Sequence, residues 1–224
     1  MKRIAVIGSM VMMVAACGSS TSGGLVDDSS DGGGATTTWP SDAGVPDDGA
    51  STSTLADARA VDGSADDRID PIVVGNSWTY QVTTFGTYPL CPAGQYTGLA
   101  ESAATVGGKS AVLVKSLCAN EAASYYTVEG DVVQVQVDGT WVLALDAPVA
   151  EGHTWSNGTS TFTWRDAGAV TVAAGTFDDC WSATQNVAYE AYTIFCRGVG
   201  PVRWHSKDGA GDGFDAELAS ASVQ

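Results

Sequence analysis

His153 and His205 are the only imidazoles in this 224-residue chain. General acid–base chemistry by histidine near neutral pH must therefore pass through one of them. Serine and aspartate are plentiful enough to complete a Ser-His-Asp set, but no Gly-x-Ser-x-Gly turn is present to expose a nucleophile. We read both histidines as strand or surface residues and expect no catalytic residue and no cofactor. The run Asp208-Gly209-Ala210-Gly211-Asp212-Gly213-Phe214-Asp215-Ala216-Glu217 gathers carboxylates on a turning segment. Asp208, Asp212, Asp215 and Glu217 are accordingly weak calcium candidates, because calcium takes several oxygens from a tight loop. Counted from Asp208, however, the third EF-hand position is Ala210 and the twelfth is Ala219, so a solvated hairpin loop is the default expectation. Asp178-Asp179 is a poor acid–base couple, since neighbours on a strand point to opposite faces, and it reads as an exposed bulge.

Sulfur chemistry is richer. Cys91, Cys118, Cys180 and Cys196 have no Cys-x-x-Cys spacing and few histidines to join them, which argues against a metal or redox centre. Four cysteines allow three pairings. Cys180 and Cys196 lie symmetrically about Ala188, so two strands joined by a turn near Val187 to Tyr189 would set them opposite each other. Cys91 and Cys118 would then close a longer loop. Each bridge contributes about 2–4 kcal/mol by restricting the unfolded chain.

The fifth, Cys17, has a different context. Met1-Lys2-Arg3 is basic, residues 4–14 are a short apolar run, and Val14-Ala15-Ala16-Cys17-Gly18 follows. The run is short for a membrane span and ends in a cleavage signal. The pattern resembles the signal and lipobox of bacterial lipoproteins. The resemblance implies a signal peptide over 1–16, a mature chain beginning at a lipid-carrying Cys17, and attachment to a membrane through that lipid. Gly18 in place of Asp favours the outer membrane, so the expected location is the cell envelope, facing the periplasm or the surface.

The chain has 10 Lys and Arg against 26 Asp and Glu, a net charge of −16; removing Lys2 and Arg3 leaves 8 against 26, or −18. Nucleic-acid binding is excluded as a reading, because phosphate contacts need cations. Residues 17–66 are dominated by Gly, Ser, Thr, Asp and Ala and bury too little apolar surface to offset chain entropy. We read them as a disordered acidic tether with a mean reach of roughly 35–45 Å. Trp39-Pro40 is its one apolar spot.

From residue 67 to 224 the composition changes to that of one domain with a core. Period-two segments recur at 78–82, 125–128, 132–137, 141–145, 161–164 and 192–195, with a short apolar run at 111–114. Gly107-Gly108, Glu129-Gly130-Asp131, Asp138-Gly139, Asn157-Gly158 and Asp166-Ala167-Gly168 read as the turns between them. This predicts an all-β domain, an antiparallel curved sheet, half-barrel or sandwich. Residues 99–106 and the Ala/Ser-rich C-terminus could hold short helices. Gly75-Asn76-Ser77-Trp78 and Gly152-His153-Thr154-Trp155 share Gly-x-x-Trp. A duplication would explain that echo, and so would two strands with similar lead-in turns, which is the reading we prefer.

Val170-Thr171-Val172-Ala173-Ala174-Gly175-Thr176-Phe177-Asp178-Asp179-Cys180 resembles the V-x-V-P-A-G-T-F-x-x-C pattern of bacterial secreted and lipoprotein domains of unknown function. Gly75 to Tyr80, Gly152 to Trp155 and Arg197-Gly198-Val199-Gly200-Pro201-Val202 match its flanking landmarks, with Ala173 and Arg197 where proline is usual. The resemblance implies a fold like the β half-barrels of outer-membrane lipoprotein carriers, and no established catalytic residue. The bend at Ala174-Gly175-Thr176 and a corner at Gly198 to Pro201 would be structural, with Phe177 and Trp181 in or near the core. The leading expectation is a membrane-anchored, non-enzymatic binding or envelope-structural module whose partner is an apolar ligand, a glycan or an envelope protein. A half-barrel holding an apolar ligand comes second, and a carbohydrate-binding module or hydrolase third. A glycan site would need exposed tryptophans beside acids, and six of the seven tryptophans fall in this domain.

Overall fold

Alternation along β1 (Ser77–Phe85) buries Trp78, Tyr80 and Val82 and leaves Gln81 and Thr83 exposed, as a strand with one face on a core requires. The computed structural model describes residues 66–86, 91–115 and 122–224. The expected signal segment, Cys17, nearly all of the expected acidic tether and Cys118 lie outside them. Eleven further strands follow: β2 (Gly94–Val106), β3 (Lys109–Lys115), β4 (Ser124–Glu129), β5 (Val132–Val137), β6 (Thr140–Leu145), β7 (Thr154–Ser156), β8 (Thr161–Val172), β9 (Gly175–Gln185), β10 (Glu190–Cys196), β11 (Gly200–Lys207) and β12 (Gly213–Ser222). No helix occurs among the described residues.

All pairings are antiparallel, in one sheet of order β6-β5-β4-β3-β2-β1-β12-β11-β10-β9-β8-β7. Two six-stranded meanders, β1 to β6 and β7 to β12, are thus joined where β1 pairs with β12. The expected all-β class holds, and the sheet goes beyond a half-barrel: it curls until its end strands β6 and β7 face each other without a backbone ladder. Indole groups bridge that seam instead. Trp155 Nε1 donates to Ala144 O at 3.1 Å and Trp164 Nε1 to Asp146 O at 2.8 Å.

Local chemistry explains the turns. Gly107-Gly108 and Asp138-Gly139 each have positive φ at both positions, the type I′ geometry that matches strand twist. One expectation needs correcting. Asp166-Ala167-Gly168 is a bulge inside the 12-residue β8, where the register with β9 shifts, and not a turn between strands. Residues 99–106 and the C-terminus are strand, in β2 and β12. Their small residues have weak intrinsic preference, and pairing on both sides decides their conformation. The opposite outcome holds at Asp178-Asp179. Asp179 has φ 52° and the two residues oppose one on β8, the expected exposed bulge.

The interior is aromatic. Trp164 is fully buried, Trp155 stacks on Phe162 at 5.4 Å, and Tyr80 stacks on Trp204 at 4.8 Å. Two core donors are matched: Trp78 Nε1 donates to Val199 O and the Tyr80 hydroxyl to Pro201 O, both at 2.6 Å. The Gly-x-x-Trp echo is geometric. Gly75 N–H donates to Ala100 O while Ala100 N–H donates to Asn76 O, at 2.8 and 2.9 Å. Gly152 and His153 repeat this with Trp164, both at 2.9 Å. Each meander therefore begins with the same turn and the same indole anchor.

One end of the barrel is closed by the segment before β1. Ile69 N–H donates to Asp131 Oδ1 at 2.9 Å, and Gly198 N–H donates to Arg68 O at 2.9 Å. Arg197 spans the same end. It reaches Asp131 on the β4–β5 turn at 3.0 Å, Asp179 on the β9 bulge at 3.2 Å and Asp67 O at 3.1 Å. Cys180 and Cys196 are directly paired in register and bonded, as the spacing predicts. Cys91 is also disulfide-bonded; its expected pairing with Cys118 lies outside the described residues.

Candidate functional site

Along β11 the side chain of Trp204 turns inward onto Tyr80, so His205 turns to the outer face. Cross-strand register sets it beside Tyr192 of β10 and Asp215 of β12. His205 Nδ1 lies 2.7 Å from Asp215 Oδ1 and Nε2 lies 3.2 Å from Glu190 Oε2. Tyr192 stacks on the imidazole at 5.0 Å and Phe85 tilts against it at 6.2 Å. These neighbours leave the residue only 9% exposed although it is on the outer surface. Next along the same face, Arg203 pairs with Glu217, and the Arg203 Nε is buried with no partner among the described residues. Burial foremost raises the Tyr192 hydroxyl above its ordinary pKa, with Asp215, Glu190 and Glu217 adding to the shift and Arg203 opposing it.

Chemically this is a histidine saturated by carboxylates. Its hydrogen-bond partners among the described residues are Asp215 and Glu190, and neither is a nucleophile awaiting activation. His153 stands elsewhere, at the seam, with Nε2 3.1 Å from Asp146 Oδ2 and its ring stacked on Trp155 at 6.3 Å.

The four carboxylates singled out for calcium do not converge. Asp215 is engaged by His205 and Glu217 by Arg203. Asp208 Oδ1 accepts from the N–H groups of Ala210 and Asp212 at 2.8 and 3.0 Å, which makes it the organiser of a hairpin loop. Among the described residues no three His, Cys, Asp or Glu side chains are grouped to hold a metal.

The tryptophans are distributed as core, not platform. Trp78, Trp155 and Trp164 are at most 5% exposed. Trp141, Trp181 and Trp204 are half-buried, and Trp181 Nε1 is tied to Asp179 Oδ1 at 2.8 Å.

A cavity of about 460 Å³ opens between the closing segment and β2 to β4, lined by Arg68, Ile72, Ala104, Ala111, Val112 and Tyr126 among others. Its one cation is committed: Arg68 Nε reaches both oxygens of Asp66, at 2.8 and 3.0 Å. Beside it lies a group that sequence reasoning missed. The Asp70 carboxyl lies against Gly200, where an added Cβ would sit 3.1 Å from Asp70 Oδ1. Burial raises its pKa to about 7, against the pull of Arg68. An acid between apolar neighbours, Ile69-Asp70-Pro71-Ile72, is the signal that could have found it.

Two solved structures are similar to this chain. One is an inferred lipoprotein from Parabacteroides distasonis, with TM-score 0.41 and 10% identity over 69% of this chain and 98% of that chain. The other is an inferred exported protein with a YmcC-like fold from Bacteroides fragilis, with TM-score 0.39 and 10% identity over 68% and 98%. No family model and no curated protein matches.

Proposed function

We propose that this protein is a lipid-anchored module of the bacterial cell envelope that works by binding or bracing and not by catalysis. Anchoring rests on Cys17 in its lipobox context and on the acidic tether that follows. The observation that carries the non-enzymatic reading is the surroundings of the two histidines: Asp215 and Glu190 contact both ring nitrogens of His205, and His153 has Asp146 on Nε2 and the Trp155 ring on its face, with no serine, threonine or cysteine hydrogen-bonded to either among the described residues. A histidine acting as base for a nucleophile needs that nucleophile within hydrogen-bond reach. The partner is an envelope component met on the outer surface of the sheet.

The test has two arms. In cells, the native chain should sediment with membranes and Cys17→Ser should move to the soluble extracytoplasmic fraction. In vitro, the purified chain should show no turnover on a panel of ester, amide and glycoside substrates. Turnover that His205→Ala abolishes, with the fold intact by circular dichroism, overturns the non-enzymatic half. Membrane retention of Cys17→Ser overturns the anchored half.

A second reading, a holder of a small apolar ligand, rests on Ile72, Ala111 and Val112 in an open cavity that Arg68, Thr105 and Ser110 also line. A noncovalent mass retained in native mass spectrometry would support it.

A further inference from the structure

The two end strands of the sheet are treated differently. At the β7 end, β7 is only three residues long, and the edge of β8 beyond it is capped. Glu151 Oε2 accepts the N–H of Asp166 at 2.8 Å, Asp166 Oδ1 accepts the N–H of Gly168 at 2.8 Å, and Arg165 holds Glu151 at 2.7 Å. In the loop between β7 and β8, Asn157 Oδ1 accepts from the N–H groups of Thr159 and Ser160. Charged residues and occupied backbone groups are how natural sheets blunt an edge.

The β6 edge has none of this. Thr140-Trp141-Val142-Leu143-Ala144-Leu145 contains no charge and no proline. The two-residue turn makes Val137 and Thr140 the closing hydrogen-bonded pair and Val135 and Val142 the next. The N–H and C=O groups of Trp141 and Leu143 therefore point away from β5, and no described group meets them. The indole and histidine bridges across the seam reach only Ala144 and Asp146.

Building on the binding-module reading, we infer that the β6 edge is a strand-addition site for an extended, basic segment of another protein. Only an extended backbone can match two donors and two acceptors at strand spacing. Six residues of strand span roughly 20 Å. Asp138 stands exposed at the turn end, while Asp146 at the other end is already held by His153 and Trp164, so the segment should be a β-prone run of about four residues with Lys or Arg at the end that meets the turn. The net charge of −16 favours the same partner sign over long range.

The experiment titrates the full chain, purified in detergent, with the synthetic peptide Lys-Thr-Val-Thr-Val-Lys in an anisotropy assay. Saturable binding is expected, weakened at least about tenfold by N-methylation of alternate peptide amides, which removes edge hydrogen bonds and leaves the protein untouched. Glu in place of the flanking Lys should weaken it similarly. Leu143→Lys should also reduce binding, and hydrogen exchange at Trp141 and Leu143 should slow when peptide is bound. Absent binding, or binding indifferent to N-methylation, overturns the site. Neither result bears on membrane fractionation or turnover, so the module reading stands or falls separately.

Discussion

Asp70 is the residue whose chemistry is most altered by the fold. Burial raises its carboxyl to about 7 from an ordinary 3.8, because it penalises the charged form more than Arg68 favours it, with Asp66 adding to the rise. A raised acid stabilises the fold when protonated. That contribution is fully present below about pH 3.8 and is lost as pH rises toward 7. Asp70→Asn should therefore flatten the fall in stability across that window and add on the order of 2–3 kcal/mol at pH 7, allowing for the residue's partial contact with solvent. Urea unfolding at three pH values measures this; parallel curves for the two proteins would refute it. Asp66, held down by Arg68, has the opposite sign: its contribution is fully present above about pH 3.8 and is lost as pH falls through its lowered pKa. The sequence marks Asp70 only by its apolar neighbours Ile69, Pro71 and Ile72; the burial that raises it comes from chain far away, Gly200 among it, 130 residues along.

At the scale of elements, glycines separate conformational need from lack of room. Gly213 starts β12 where a Cβ would lie 1.9 Å from Ser206 O, a backbone atom that cannot move without breaking the β11–β12 ladder. Gly108 has φ 79° in the β2–β3 turn with nothing within 4 Å. Gly213→Ala should cost more than about 3 kcal/mol or prevent folding, while Gly108→Ala should cost only about 1–2 kcal/mol of left-handed strain. Chemical denaturation of the pair checks this, and equal losses would show that close approach is not what fixes Gly213. The turn was legible from Gly107-Gly108 alone. The crowding was not, because it depends on which strand lies alongside. The same distinction holds at Gly168, whose positive φ serves a bulge in β8 and not a chain reversal.

For the whole molecule, charge is the dominant feature. Most described cations are already paired, Arg68 with Asp66, Arg165 with Glu151, Arg203 with Glu217 and Arg197 with two aspartates. The unpaired remainder is acidic and repels itself in the compact state. Unfolding free energy should rise by about 1 kcal/mol as salt goes from roughly 10 to 200 mM, through screening of that repulsion. A fall would mean that the ion pairs outweigh the excess charge. Arg197 matters most among them, since it ties Asp131, 66 residues away, to the β9 bulge and to the segment that closes the barrel.

The sequence by itself determined the strand class, most of the two-residue turns, the Asp178-Asp179 bulge and the Cys180–Cys196 register. Each of these depends on side-chain period, turn stereochemistry or spacing within a single hairpin, which a short window contains. Only the tertiary structure decided that β2 and β12 are strands, that β1 joins β12, that His205 is held between two carboxylates and that β6 meets no partner strand on its outer edge among the described residues. Those outcomes depend on strands far apart in the chain meeting in one curled sheet. Pairing free energy from both neighbours then overrides weak local preference, and proximity sets the charge and hydrogen bonding of each side chain.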